Sequence, residues 1–137
     1  MKKELKIEAT LDNLDLVLGF VEENLELAEC PMKIAMKVAV CVEELYVNIA
    51  SYAYEGASGD CTLYFEQEEK TPNKISITIE DKGKPFNPLE KADPDTTLDA
   101  EEREIGGLGI FMVKNIMDNI IYERKQENNI IIMEKTW

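Results

Sequence analysis

The sequence contains no histidine, and its 28 acidic residues outnumber its 15 lysine and arginine residues, which gives a formal net charge of −13 at pH 7. Without histidine, a general base has to be a carboxylate, a lysine, a tyrosine or a cysteine. The shortage of positive charge argues against a nucleic-acid-binding protein, because affinity for a phosphate backbone comes mostly from clustered Lys and Arg. Binding of basic protein surfaces fits this charge better, and a simple contribution to solubility is the alternative.

Long apolar runs are also missing. No segment reaches the roughly eighteen apolar residues that a membrane span needs, and the lysines of the start MKKELKIEAT are not followed by the apolar core of a signal peptide. We therefore expect a cytoplasmic protein without membrane contact. Cysteine is scarce as well: Cys30, Cys41 and Cys61 lie in apolar segments and lack the spacing of metal ligands, which predicts buried thiols in a reducing compartment.

The chain has 137 residues, of which 45% are hydrophobic, so it is long enough for one compact core and too short for two. We expect a single domain over residues 1–137. Strand patterns grouped in hairpins, with helical patterns between them, predict an α+β fold. In this fold a two-layer sandwich contains a mixed, mostly antiparallel sheet with helices on one face.

Hydrophobic periodicity predicts the order of the elements. Thr10 is a potential cap for the first helix. The segment between Phe86 and Gly106 contains two prolines and no lasting periodicity, and its length is typical of a lid or a disordered loop. Strands are expected at about residues 3–9, 61–65, 75–79, 119–124 and 129–135, and helices at about 11–28, 32–54 and 110–117.

Two adjacent glutamates of the second helix are not equivalent. On a helical projection of about 100° per residue, Glu44 and Asn48 lie one turn apart on the flank of the apolar face, whereas Glu43 points to solvent. A flank of this kind is where a pocket wall would lie. Taken alone, the pair is more simply explained as an ordinary polar boundary of the helix. The apolar face itself is predicted to contain Val38, Cys41, Val42, Leu45, Ile49 and Tyr52.

Two further segments have features that suit a nucleotide. Asp81 ends the third predicted strand, and an ionised carboxylate, which only accepts hydrogen bonds, can accept one from the exocyclic amine of adenine. Gly83 lets the backbone approach a ligand closely. The run Gly106-Gly107-Leu108-Gly109 leads into a helix and directs free amides and the positive helix end at an anion.

The glycine run is neither a Walker loop, because no Lys-Ser/Thr follows, nor a dinucleotide fingerprint, because no strand precedes it. Each of the three features also has a structural explanation on its own, since polar helix flanks, turn aspartates and glycines at helix starts are common. Their combination in this order is the more specific signal.

That combination resembles the GHKL ATPase superfamily, which groups gyrase-, Hsp90- and histidine-kinase-type ATP-binding domains with the Bergerat fold. More narrowly, VEELYVNIASYAY, EDKGKPFNPLEKADPD and REIGGLGIFMVKNIMD are similar to segments of the anti-sigma-factor serine/threonine kinases. The resemblance runs from the first predicted strand to the last.

The resemblance implies roles for residues in the first two segments. Glu44 matches the base that takes a proton from the acceptor hydroxyl, and Asn48 matches the ligand of a magnesium ion that bridges the phosphates. Asp81 matches the residue that binds adenine, and Gly83 matches the glycine that makes room for it.

For the third segment, the resemblance implies that Gly106, Gly107, Leu108 and Gly109 hold the phosphates, and that residues 87–105 are the mobile ATP lid. Seven acidic residues lie in that lid, and most of them should point away from a triphosphate because like charges repel. The cations Arg103 and Lys114 are candidates for phosphate contacts, and solvated surface charges explain them equally well.

The sequence departs from the superfamily at two places. Asn128-Asn129 stands where many members have a Gly-Thr pair before the last strand, so no binding role is expected for that turn. Lys84-Pro85 replaces the commoner second glycine of the adenine segment. Neither change removes a residue matched to the metal or to adenine.

The resemblance thus implies an ATP- and Mg²⁺-dependent serine/threonine kinase that phosphorylates an anti-sigma-factor antagonist, alternately sequesters a sigma factor and can form a homodimer. A non-catalytic nucleotide-binding partner-switch module is the main alternative. A sensor kinase that phosphorylates histidine fits less well, because the chain contains no histidine to modify. A structural protein with accidental motifs is the last alternative.

Overall fold

The computed structural model describes residues 1–90 and 107–137. Short 3-10 turns lie at Leu11–Asn13 and Pro88–Glu90, and a π-helical turn lies at Ile49–Ala53. The longer elements are β1 (Lys2–Glu8), α1 (Leu14–Leu27), α2 (Met32–Asn48), β2 (Asp60–Glu66), β3 (Lys74–Asp81), α3 (Gly107–Ile116), β4 (Asn119–Lys125) and β5 (Asn128–Thr136). The predicted α+β class is confirmed.

Among the described residues, the strands form one sheet in the order β1-β2-β3-β5-β4, and every neighbouring pair is antiparallel. The sheet is thus antiparallel throughout this part of the chain, where a mixed, mostly antiparallel sheet was expected. The central strand β3 has a partner on each side. Its last residue, Asp81, is in register with Cys61 of β2 and with Asn129 of β5.

The core lies between one face of this sheet and the helices, as the alternating pattern predicts. Each fully buried aliphatic or aromatic side chain contributes about 1.5–3 kcal/mol relative to an exposed one. The sheet supplies Cys61, Leu63, Phe65, Ile75, Ile77, Ile79, Ile131 and Met133, and the helices supply Val17, Val21, Leu25, Val38, Val42, Leu45 and Val113, among others. The predicted arrangement of helices on one face is confirmed.

A tyrosine, and not a side-chain cap, fixes the start of the first helical segment. Thr10 was expected to cap that helix, but its side chain makes no capping hydrogen bond. The buried Tyr46 hydroxyl donates to the Thr10 carbonyl oxygen at 2.6 Å and accepts from the Thr10 amide at 3.1 Å. Burial raises the pKa of the Tyr46 phenol. The sequence pattern missed this contact because the two residues are far apart in the chain.

The second helix ends differently from the prediction. An α-helix through Tyr54 was expected, but α2 stops at Asn48 and continues as the π-helical turn. This wider turn, with i→i+5 hydrogen bonds, brings Ala53 into the core and leaves Tyr52 58% exposed. The assignment of Tyr52 to the apolar face was therefore wrong.

The cysteines follow the prediction in part. Cys41 and Cys61 are buried and Cys30 is half-buried, and all three are free thiols. Burial raises the pKa of Cys41 to about 11 and that of Cys61 to about 12.

Within residues 1–90 and 107–137, no helix has the length and apolar character needed to cross a membrane.

Candidate functional site

One wall of the candidate site is the flank of α2. Glu43 is exposed, whereas Glu44 and Asn48 are both partly buried, in agreement with the helical projection. Asn48 lines a cleft that also contains Asp81. The structure therefore brings together two of the residues matched to the nucleotide site, which are far apart in the sequence.

Glu44 lies against the first turn of α3. A β-carbon added at Gly109 would overlap the Glu44 carboxylate, so only glycine at this position lets the carboxylate approach the helix so closely. The helix begins at Gly107, earlier than the predicted start at Ile110, and its first amides have no partner within the helix. Gly106 lies outside the described residues.

Asp81 is held at the end of β3 by two donors. It is only 3% exposed, and its Oδ1 accepts hydrogen bonds from the Gly83 amide at 2.8 Å and from Asn129 Nδ2 at 3.0 Å. Ionised carboxylates are well suited to such donors, because hydrogen bonds to a charged group are stronger than neutral ones. The carboxylate is therefore fixed in orientation at the cleft.

Gly83 is needed for packing within the protein. A β-carbon there would collide with the carbonyl oxygen of Ala53 in the π-helical turn. The next residue, Lys84, donates its amide to the same Ala53 oxygen at 3.0 Å. The close neighbour of Gly83 in the structure is Ala53 of the π-helical turn. That Gly83 also lets the backbone approach a ligand stays a prediction.

Asn129 is a site residue that the sequence analysis missed. No binding role was expected for this turn, yet the side chain is 3% exposed and lines the cleft beside Asp81. One signal could have identified it: Asn129 continues the period-two series of the buried residues Ile131 and Met133, so it is a polar residue on the core face of a strand. Buried polar side chains of this kind are normally hydrogen-bonded.

The cleft has mainly apolar walls with a few polar groups, the usual composition of a small-molecule site. Its cavity volume is about 30 Å³, which is enough for water-sized groups. The exposed side chains of Tyr52 and Phe86 lie on its border. The apolar walls are Leu45, Ile49, Tyr52, Ala53, Phe86, Pro88 and Ile131, and the polar groups belong to Asn48, Asp81, Lys84 and Asn129.

Asn48 fits the type of site that Mg²⁺ uses with nucleotides. The ion is commonly held by only one or two protein oxygens while phosphates and water complete its shell. The Asn48 side-chain amide oxygen at the cleft, one helical turn from Glu44, has the chemistry of such a ligand. Within the described ranges, there is no cluster of three or more His, Cys, Asp or Glu side chains that could hold a metal by itself.

Lys114 and Arg103 were the two cations suggested for phosphate contacts, and the structure describes the first of them. Lys114 lies in the last turn of α3, so its Cα is roughly 10 Å along the helix axis from Gly107 at 1.5 Å per residue. That position is distant from the helix start at which a phosphate was expected. Arg103 lies outside the described residues, as does most of the predicted lid. The part of the lid that is described, up to Glu90, contains the 3-10 turn Pro88–Glu90.

The chain matches the family described as "Histidine kinase-like ATPase domain" over residues 7–135. It belongs to this family. The matched range includes every site residue named above, and the resemblance to anti-sigma-factor kinases is confirmed by two curated relatives.

The first of these relatives is an anti-sigma F factor from Heyndrickxia coagulans, 28% identical over 94 residues, a span that covers 69% of this chain and 63% of the relative. The second is the serine-protein kinase RsbW of Listeria monocytogenes serovar 1/2a, 29% identical over 86 residues, covering 59% of this chain and 53% of the relative. Both matches therefore span less than two thirds of the relatives.

Among solved structures, the histidine kinase domain of the blue-light activated histidine kinase EL346 from Erythrobacter litoralis has a TM-score of 0.59 to this chain at 16% identity. The match covers 90% of this chain and 60% of that structure. At this identity the similarity concerns the fold. It supports the α+β fold predicted from the sequence.

Proposed function

We propose that this chain is an ATP-dependent serine/threonine protein kinase that acts as an anti-sigma regulatory factor in the cytoplasm. In this proposal it phosphorylates an anti-sigma-factor antagonist and, in another state, sequesters a sigma factor. Two copies of the chain can associate as a homodimer. The observation that supports nucleotide binding best is the buried, doubly hydrogen-bonded carboxylate of Asp81 in a cleft that Asn48 shares. The kinase assignment is supported in addition by the two curated relatives and by the position of Glu44.

Adenine binds at the Asp81 end of the cleft in this proposal. Because Oδ1 is already occupied by two donors, Oδ2 is the atom that accepts a hydrogen bond from the exocyclic amine. The apolar side chains of Ile49 and Ile131 line the same cleft and suit the faces of a purine ring.

The phosphates extend from the base toward the start of α3, where the amides of Gly107, Leu108 and Gly109 donate to phosphate oxygens and the helix dipole adds attraction. Gly106 completes this run. Asn48 ligates Mg²⁺, which when bound neutralises charge on the phosphates.

Glu44 acts on the hydroxyl group that receives the phosphoryl group. The γ-phosphoryl group moves from ATP to a serine or threonine hydroxyl of the antagonist, the bond to the leaving ADP breaks, and Glu44 accepts the hydroxyl proton. The carboxylate lies beside Gly109 at the helix start, which is adjacent to the proposed phosphate position. Its role is mainly to orient the nucleophile, because phosphoryl transfer depends mostly on positioning and charge neutralisation.

The experiment compares phosphotransfer from γ-labelled ATP to a co-purified antagonist for the intact protein, Glu44→Gln and Glu43→Gln. Glu43 is the matched control, because it is the adjacent glutamate and is exposed. We expect a loss of roughly 100-fold or more for Glu44→Gln, the usual contribution of a positioned acid or base, and little change for Glu43→Gln. No transfer by the intact protein would remove the kinase assignment. Equal transfer by both variants would remove the role of Glu44 in catalysis.

A nucleotide-binding partner switch without turnover is the second candidate. It is favoured by a difference between the two halves of the site. Buried, hydrogen-bonded groups form the adenine end around Asp81 and Asn129, whereas Glu44 is the one acid proposed for the chemistry. Tight binding of Mg-ATP together with no phosphorylated antagonist would select this candidate.

A further inference from the structure

An open groove lies between α1 and α2. The two helices are antiparallel, because the short turn at residues 28–31 joins them at one end, and Tyr46 of α2 contacts Thr10, just before α1, at the other. The groove lies at the end with the turn. Met36, which lines it, is about 18 Å along α2 from Asn48 at 1.5 Å per residue. The α1–α2 groove is therefore separate from the candidate nucleotide site.

The α2 side of the groove is apolar and uncovered. Met32 and Met36 lie one helical turn apart and are 79% and 65% exposed. Between them and α1 lie the half-buried Ala35 and Ala39, whose short side chains leave room for a groove of about 330 Å³. Unbranched methionine side chains adapt to the shape of a partner, and proteins use them at surfaces that bind helices.

The α1 side of the groove is acidic. Glu22 and Glu26 lie one turn apart on this helix, and both are exposed. Among residues 1–90 and 107–137, neither carboxylate forms a salt bridge. The lysines of α2 do not neutralise this wall, because Lys33 and Lys37 each follow a groove methionine and so point about 100° away from it around the helix.

An apolar ridge next to a row of carboxylates has a specific complement. A helix with one apolar face fits such a groove, and lysine or arginine residues along the edge of that face would lie opposite the carboxylates. The same carboxylates repel anionic membranes and nucleic acids, which are the other common partners of exposed apolar or charged surfaces.

We propose that the α1–α2 groove is a docking site for a basic amphipathic helix of a partner protein. The apolar face of that helix packs on Met32 and Met36, and its cations pair with Glu22 and Glu26. This inference does not depend on nucleotide binding, because the groove and the nucleotide site lie at opposite ends of α2.

The probe is a fluorescently labelled synthetic helix of about 18 residues, long enough to be helical, with leucines at three-four spacing and lysines beside them. Two further peptides separate the contributions to binding. One has glutamate in place of every lysine, and the other keeps the lysines but has serine in place of every leucine. Fluorescence anisotropy of each peptide is measured with the full chain at about 0.1 M salt, where distant charges are screened. We expect saturable binding of the basic amphipathic peptide only.

Charge reversal tests the acidic wall. Glu26→Lys should weaken binding of the basic peptide by about threefold to tenfold, because it places like charges opposite each other. Glu23→Lys is the matched control, since it makes the same change at an exposed glutamate of α1 that does not line the groove. The control should change the affinity by less than about twofold. Equal losses in the two variants would show unspecific attraction to an acidic protein, which has a formal charge of −13, and would overturn the proposal.

The apolar ridge is tested by Met36→Lys, with Leu16→Lys as its control. Leu16 is also exposed, at 60%, but lies on α1 outside the groove. We expect a loss of about tenfold or more for Met36→Lys, as for a central interface residue, and little change for the control. Thermal unfolding checks that each variant is folded, and Met36→Gln replaces Met36→Lys if that variant is not, with a loss expected again.

Three results would contradict the proposal: no saturable binding of the basic amphipathic peptide, equal binding of its glutamate counterpart, or wild-type affinity in a folded Met36 variant. Sedimentation of the unliganded chain tests the other possible occupant, a second copy. A dimer that Met36→Lys dissociates would show that the groove is covered by another copy of this chain, and would replace the partner helix. None of these outcomes bears on ATP binding or phosphotransfer, so the proposed function is tested separately.

Discussion

Gly109→Ala is expected to separate folding from catalysis in a single substitution. The added β-carbon would overlap the carboxylate and the γ-carbon of Glu44. These atoms are the far end of a flexible side chain, so Glu44 can rotate away without movement of the backbone. The variant should therefore fold with the Glu44 carboxylate displaced from the start of α3.

The substitution should not lower the stability of the protein, but it should lower the rate of phosphotransfer. Alanine is more favourable than glycine inside a helix by up to about 1 kcal/mol, so the free energy of unfolding should be unchanged or slightly higher. Displacing a positioned carboxylate by even about 1 Å can cost roughly 100-fold in rate. Phosphotransfer should fall by this order while the protein remains folded.

The matched control is Gly19→Ala, because a β-carbon at this exposed position in α1 would meet no atom within 4 Å. Chemical denaturation and transfer from γ-labelled ATP are measured for both variants. Gly19→Ala should gain stability and keep its activity. Undiminished transfer by a folded Gly109→Ala variant would refute the argument that the close approach of Glu44 to α3 matters for catalysis.

Three further predictions concern other parts of the fold. Gly83→Ala should lower the free energy of unfolding by about 1–3 kcal/mol, because its β-carbon would meet the Ala53 backbone, which cannot rotate away; urea denaturation measures this, and wild-type stability would contradict the packing. Tyr46→Phe removes the hydroxyl bonded to Thr10 and should cost about 1–3 kcal/mol in the same assay, whereas a cost near zero would show that these bonds do not contribute. Burial raises the pKa of Cys61 to about 12, so its thiolate is rare at pH 8 and labelling of Cys61 by iodoacetamide should require unfolding. Peptide mapping separates this site from the half-buried Cys30, and rapid labelling of Cys61 in the native protein would contradict the prediction.

The fold was predictable because its signals are local. Alternation along the strands and three-four spacing along the helices identified the core of both layers, and Glu43 and Glu44 were correctly distinguished by angle alone. The end of α2 was not predictable in this way. The residues Ile49–Ala53 fit an α-helical pattern, and only their packing in the structure shows that the turn is π-helical and that Ala53 replaces Tyr52 in the core.

The missed parts of the site depend on long-range pairing. Asn129 and Asp81 are 48 residues apart, and their hydrogen bond follows from the register of β3 with β5. The resemblance matched both Glu44 and Gly109 to the site. Only the three-dimensional structure shows that position 109 has to be glycine because the Glu44 carboxylate lies against it. A polar residue on the core face of a strand was the one sequence signal for Asn129.

The most direct test of the nucleotide site is calorimetric titration of Mg-ATP into the intact chain and into Asp81→Asn. Asparagine keeps the size of the side chain but replaces one acceptor oxygen with a donor NH2, which mismatches either the Gly83 and Asn129 donors or the adenine amine. We predict saturable binding to the intact chain and an affinity lower by roughly tenfold or more for the variant. Equal heats and equal affinities for the two proteins would contradict the assignment of Asp81 to adenine.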